Sequence, residues 1–112
     1  MDKNKILMIW GIGAVGSTIL HYLKDNIDVT YSNIFMVDIL DKSNIDIVKD
    51  YVSKGSKFFE VDLNIKYKDI IAELPKQSII IDVTNRTNSI EFIRSCKEHN
   101  IHYINTSIED IN

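Results

Sequence analysis

Three glycines spaced Gly11-x-Gly13-x-x-Gly16, with Asp38 lying 22 residues past Gly16, are the residues here whose types and spacing suggest a chemical task. The task is to hold a diphosphate. Gly11 permits a tight turn from strand to helix, and Gly13 removes the Cβ that would block phosphate oxygens from the backbone. Gly16 lets the new helix pack closely on its flanking strands. The free N–H groups at the helix start, in the segment Gly13, Ala14, Val15 and Gly16, face an anion together with the positive end of the helix dipole. Asp38 is placed to accept both hydroxyls of an adenosine ribose. Its followers are Ile39-Leu40-Asp41, with no arginine to meet a 2′-phosphate, which favours NAD over NADP; Lys42 is the counter-hint. A plainer reading makes the same residues a helix-packing turn and a strand-end acid. The full motif together with its acid favours the dinucleotide.

Those residues need elements to position them. Ile6 to Trp10 is an apolar run that reads as a strand entering the glycine turn, and a helix follows from Ala14 to about Lys24 with Ala14, Ile19, Leu20 and Leu23 on one face. Ile34 to Asp38 reads as the second strand. Ser43 or Asn44 is a capping candidate for a helix carrying Ile45, Val48 and Val52, with Gly55 at its C-terminal cap. Phe58 to Leu63 reads as the third strand, and a short helix from Lys66 to Leu74 is closed by Pro75. Ile79 to Val83 has the look of a buried parallel strand. Asn88 or Ser89 starts a helix turning Ile90, Phe92, Ile93 and Cys96 inward, and Ile101 to Asn105 is the fifth strand. Strands alternating with helices must be parallel with right-handed crossovers. The expected fold is therefore α/β, a doubly wound, Rossmann-like parallel sheet of five strands in the order 3-2-1-4-5. Its ligand crevice lies at the carboxyl ends of strands one and four.

Composition narrows the partners. The chain has 112 residues, 45% hydrophobic and 26% charged, which suits one globular domain over residues 1–112. A net charge of −3 with unclustered lysines and arginines predicts no nucleic-acid partner. The single Cys96 fits a reducing compartment, and no apolar stretch approaches the length of a membrane span, so the expectation is a cytoplasmic protein without a membrane partner. Only Thr106 to Asn112 follow the fifth strand, so a substrate domain is expected to be missing.

The remaining candidates carry weaker signals. Thr84 and Asn85 follow the fourth strand on the crevice side, where a ribose contact and a plain turn cap are both open. Asp62 reads as a surface acid sooner than an adenine contact. His21, His99 and His102 lack a second ligand at metal spacing, so no metal site is expected. Cys96 reads as a buried, inert thiol and Trp10 as a ring packed in the sheet rather than stacked on adenine.

The last third of the chain resembles the N-terminal domain of homospermidine synthase, a family related to saccharopine dehydrogenase. The resemblance is carried by Ile79-Ile-Ile-Asp82-Val-Thr84, by Asn88-Ser89-Ile-Glu-Phe-Ile, and by the segment from Cys96 through Tyr103-Ile-Asn-Thr106-Ser-Ile-Glu109. More loosely it extends from Lys5 to Glu109. It implies an NAD-dependent aminobutyl transfer between polyamines, with Gly11, Gly13 and Gly16 on the pyrophosphate and Asp38 on the adenosine ribose. Thr84 would match a serine beside the nicotinamide ribose. Glu109 would match an active-site acid able to bind a substrate ammonium, although by itself it reads equally as a terminal charge. Departures are Asp82 for the usual Asn, Asn105 for Asp, Ser107 for Cys, and Asp110-Ile111 for Pro-Trp. The implied protein is the cofactor domain of an oxidoreductase, and its candidate partners are a catalytic domain on another polypeptide and, as a homo-oligomer, further copies of itself. It is not expected to turn over alone. A regulatory nucleotide sensor of the potassium-channel-gating type, and a fragment that folds but has lost its role, are the rival readings.

Overall fold

The computed structural model describes residues 5–84 and 89–105. Its elements run β1 (Leu7–Trp10), α1 (Ala14–Asn26), β2 (Ile34–Asp38), α2 (Asp46–Ser53), β3 (Lys57–Glu60), α3 (Leu63–Glu73), β4 (Ile79–Asp82), α4 (Ile90–Glu98) and β5 (His102–Asn105), with a 3-10 turn at Tyr31–Asn33 before β2. Among the described residues every strand pair is parallel, as the alternation of strands and helices requires, and the sheet order is β3-β2-β1-β4-β5.

Alternation along the central strands sorts the core into two layers. Met8, Trp10, Val37 and Ile80 point to one face and pack with Leu63 and Ile71 of α3 and Phe92 and Cys96 of α4. Ile9, Ile34 and Met36 point to the other and meet Leu20 of α1 and Ile47, Val48 and Tyr51 of α2. Trp10 is fully buried, edge-on to Phe92 and Tyr103, with ring centroids 5.5 and 6.1 Å away. Its ring belongs to the core.

Several element bounds and faces differ from expectation. In α2, Ser43 is bonded to Asp41 and caps nothing; Ile45 holds the N-cap position, without a side-chain bond. Ile47, Val48 and Tyr51 take the buried face, leaving Val52 exposed. Strand β3 begins at Lys57, directly after Gly55 reverses the chain with a φ of +115°, and ends at Glu60. Asp62 then starts α3 by accepting from the Asn64 N–H, so that helix begins a turn earlier than its apolar pattern suggested. In α4 the inward residues are Phe92, Ser95 and Cys96, while Ile90 and Ile93 are exposed. A helix turns about 100° per residue, so Phe92, Ser95 and Cys96, at i, i+3 and i+4, share the inward face while Ile90 and Ile93 fall outside it. Among the described residues, no helix is long and apolar enough to cross a membrane, and no group of three or more metal-binding side chains comes together.

Candidate functional site

The winding of the sheet reverses between β1 and β4, and a crevice must open there at the carboxyl ends of the strands. Gly11 sits at that point with a φ of +96°, its N–H donating to the Val37 carbonyl at 2.8 Å. A Cβ on Gly11 would lie 3.1 to 3.2 Å from Thr84 and Val83, and one on Gly16 only 2.0 Å from the Gly11 carbonyl oxygen. Those two glycines close the turn. Gly13 is different: a Cβ there would meet nothing within 4 Å. The open space over Gly13, at the first turn of α1, is what an approaching diphosphate requires.

Gly11, Gly13, Asp38, Lys42, Asp62 and Thr84 line one cleft of about 400 Å³, floored by Val61, Leu63 and Val83. That size lies within the range of small-molecule sites. Ala14 and Val15 open α1 directly after Gly13 and are exposed, whereas Gly16 is buried beneath the turn. The glycine turn, Asp38 and Thr84 are thus brought together. Asn85 and Glu109 lie outside the described residues.

Asp38 ends β2 nearly buried and is held from several sides. Its Oδ2 accepts from the Ile12 N–H at 2.8 Å and its Oδ1 from the Leu40 N–H at 2.9 Å. The carboxylate therefore ties the glycine turn to the end of β2, besides facing the cleft. Each oxygen has two lone-pair sites, so these bonds leave acceptor capacity for ribose hydroxyls. Lys42 completes the cluster. Its Nζ donates to the Ile12 carbonyl at 3.0 Å and lies 3.6 Å from Asp38 Oδ2. The spacing of Asp38 and Lys42 hinted at a nearby cation; that the cation is folded into the cleft depends on the path of the 39–45 loop.

At the other end of the cleft, Thr84 is oriented by Asp82. The Thr84 N–H and hydroxyl both donate to Asp82 Oδ1, at 2.9 and 2.6 Å. Asp82 is fully buried, and its Oδ2 accepts from the Tyr103 hydroxyl. Asn105, aligned with Asp82 in the sheet register, donates to that hydroxyl and to Ser89 Oγ. Burial, then the bond and the charge of Asp82, push the Tyr103 hydroxyl well above the ordinary tyrosine range. Burial, with Asp82 contributing, pushes the Cys96 thiol up to about 12, which keeps it protonated and inert. In the sequence Asp82 and Asn105 stand out only as departures from a family pattern. Their network appears once β4 and β5 are paired in register.

Residues 6–112 match the family described as Saccharopine dehydrogenase NADP binding domain. No curated protein matches the chain. Among solved structures, the homospermidine synthase from Legionella pneumophila in complex with NAD aligns with a TM-score of 0.72 at 21% identity, over 90% of this chain. The chain spans 22% of that protein's length. The glycine turn open at Gly13, the acid at the end of β2 and the space between them fit a dinucleotide.

Proposed function

This chain belongs to the saccharopine dehydrogenase NADP-binding domain family, and from that premise we propose that it is the NAD-binding domain of a homospermidine synthase-like oxidoreductase and aminobutyl transferase of polyamine metabolism. The observation that carries the binding role is the meeting of three features in one cleft: an open first helical turn at Gly13, the Asp38 carboxylate, and the Thr84 hydroxyl.

Each residue then has a task. The N–H groups from Gly13 through Gly16 receive the pyrophosphate, with Gly13, Ala14 and Val15 contributing backbone alone. Asp38 accepts from the adenosine ribose hydroxyls, its orientation set by Ile12 and Leu40. The Thr84 hydroxyl, its proton donated to Asp82, is assigned to the nicotinamide ribose on the family resemblance. Asn85 is assigned beside it, and Glu109 to a substrate ammonium; both assignments rest on the family resemblance. When bound, the nicotinamide supplies the hydride acceptor and donor for amine chemistry. The substrate side of the site is assigned to a catalytic domain outside this chain. A cytoplasmic location fits the single free cysteine.

Calorimetric titration of NAD into the 112-residue chain tests the binding role, with saturable binding at a single site as the expected result. Absence of dinucleotide binding would overturn it. Binding of ATP or ADP in its place would favour the nucleotide-sensor reading.

A further inference from the structure

The family's description already carries NADP; we propose that Lys42 is the residue that sets the ratio of NADP to NAD in this chain, by placing a cation where a 2′-phosphate would stand. The proposal rests on the dinucleotide reading above and adds a specificity-determining residue to it.

Asp38 alone would exclude NADP. A 2′-phosphate replaces one of the hydroxyls that the carboxylate accepts from, and it brings like charge to the same place. The structure does not leave Asp38 alone. Lys42 Nζ lies 3.6 Å from Asp38 Oδ2 and 3.0 Å from the Ile12 carbonyl, so the cation is held against the ribose end of the cleft. Its side chain is 23% exposed, so most of it packs against protein. The pair Asp38 and Lys42 is formally neutral where Asp38 would carry a full negative charge. An ammonium has three N–H donors; one is bonded to the Ile12 carbonyl, and Asp38 is paired by charge at 3.6 Å, which leaves donor capacity for a phosphate oxygen. The Leu40 N–H and the Ile12 N–H share the carboxylate's charge as well. The other acid lining the cleft, Asp62, is turned to the N-terminus of α3, where it accepts from the Asn64 N–H.

The test is calorimetric titration of NAD and NADP into the parent, Lys42→Met and Lys42→Arg, read as the ratio of the two dissociation constants. Lys42→Met keeps the stem and removes the charge. Its lost bond to the Ile12 carbonyl loosens the turn for both cofactors alike, so a merely structural role leaves the ratio unmoved. The parent is expected to bind the two within roughly tenfold of one another. Lys42→Met should shift the ratio of the two dissociation constants against NADP by about ten- to a hundredfold, the worth of a charge-assisted contact, over whatever loss it causes in both. Lys42→Arg should keep the parent ratio. A parent that binds NAD while rejecting NADP by more than about a hundredfold overturns the proposal, as does an unchanged ratio in Lys42→Met. A parent that binds neither overturns the dinucleotide reading instead.

Discussion

Gly13 and Gly16 lie within a single turn, yet their substitution should fail in different ways. A side chain at Gly13 enters open space and leaves the fold alone, while standing where phosphate oxygens must approach. Gly13→Val should unfold at nearly the parent's denaturant midpoint and show no NAD binding by calorimetry. Gly16→Ala drives a methyl against the Gly11 carbonyl, a backbone atom that cannot move aside cheaply. It should lose about 1–3 kcal/mol or more of stability in urea titration. Equal stability loss in both variants would contradict this division. Asp38 combines the two roles. Asp38→Ala should weaken NAD binding by about ten- to a hundredfold and spare NADP, because the repulsion leaves with the hydrogen-bond acceptor. It also strands the Ile12 and Leu40 N–H groups, so a stability cost of about 1–3 kcal/mol should accompany it. An unchanged cofactor preference would remove Asp38 from the ribose site. The three glycines and Asp38 could be read from sequence because their spacing is itself the signal. Lys42 and Asp82 could not be placed that way, since their partners at Ile12 and Tyr103 lie 30 and 21 residues away.

At the scale of elements, strand and helix order was legible because each apolar run is short and each is followed by helical spacing. The faces of the short helices were less so. In α4, Ile90, Phe92, Ile93 and Cys96 are all apolar, and it is packing against Trp10 of β1 and Tyr67 of α3, in the cluster that also holds Cys96, that decides which face turns inward. The two helical layers carry a pH dependence that this packing explains. Tyr51 of α2 is buried and donates to the Leu20 carbonyl, and burial pushes its hydroxyl up to about 12. On the opposite layer, the Cys96 thiol is pushed up to about 12. Both groups are neutral when protonated, so the folded state binds their protons more tightly than the unfolded chain does. Their contribution is complete below the ordinary values of 9.0 and 10.0 and is lost as pH rises toward about 12. The urea midpoint should therefore hold steady around neutrality and fall through that alkaline window. Tyr51→Phe keeps the ring, gives up about 1 kcal/mol for the hydroxyl bond, and should flatten part of the fall. A parent midpoint unaffected across the window would mean that neither group is as enclosed as the packing indicates.

Over the whole molecule, the cleft is unequal from end to end. Its β2 and β3 end carries Asp38, Lys42 and Asp62, two acids and one cation, groups suited to hydroxyl donors. Its β4 end offers the Thr84 hydroxyl, and the acid bonded to it, Asp82, is fully buried with its oxygens engaged by Thr84 and Tyr103. Amine oxidation needs a carboxylate to receive a substrate ammonium, and proton transfer needs a group within hydrogen-bond reach of the reacting nitrogen. Asp82 is enclosed too deeply for either task. The Tyr103 hydroxyl, bonded to Asp82 and held far above the ordinary tyrosine range, is a poor proton donor near neutrality. Binding and turnover should therefore separate in the 112-residue chain. Incubated with NAD and putrescine, it should yield no homospermidine and no reduced cofactor, at protein concentrations where calorimetry shows the site filled. Adding a catalytic domain of the family should restore product only if that domain supplies the carboxylates. Sustained product formation by the 112-residue chain alone would mean that acids of this chain, Glu109 first among them, already complete the substrate side of the site.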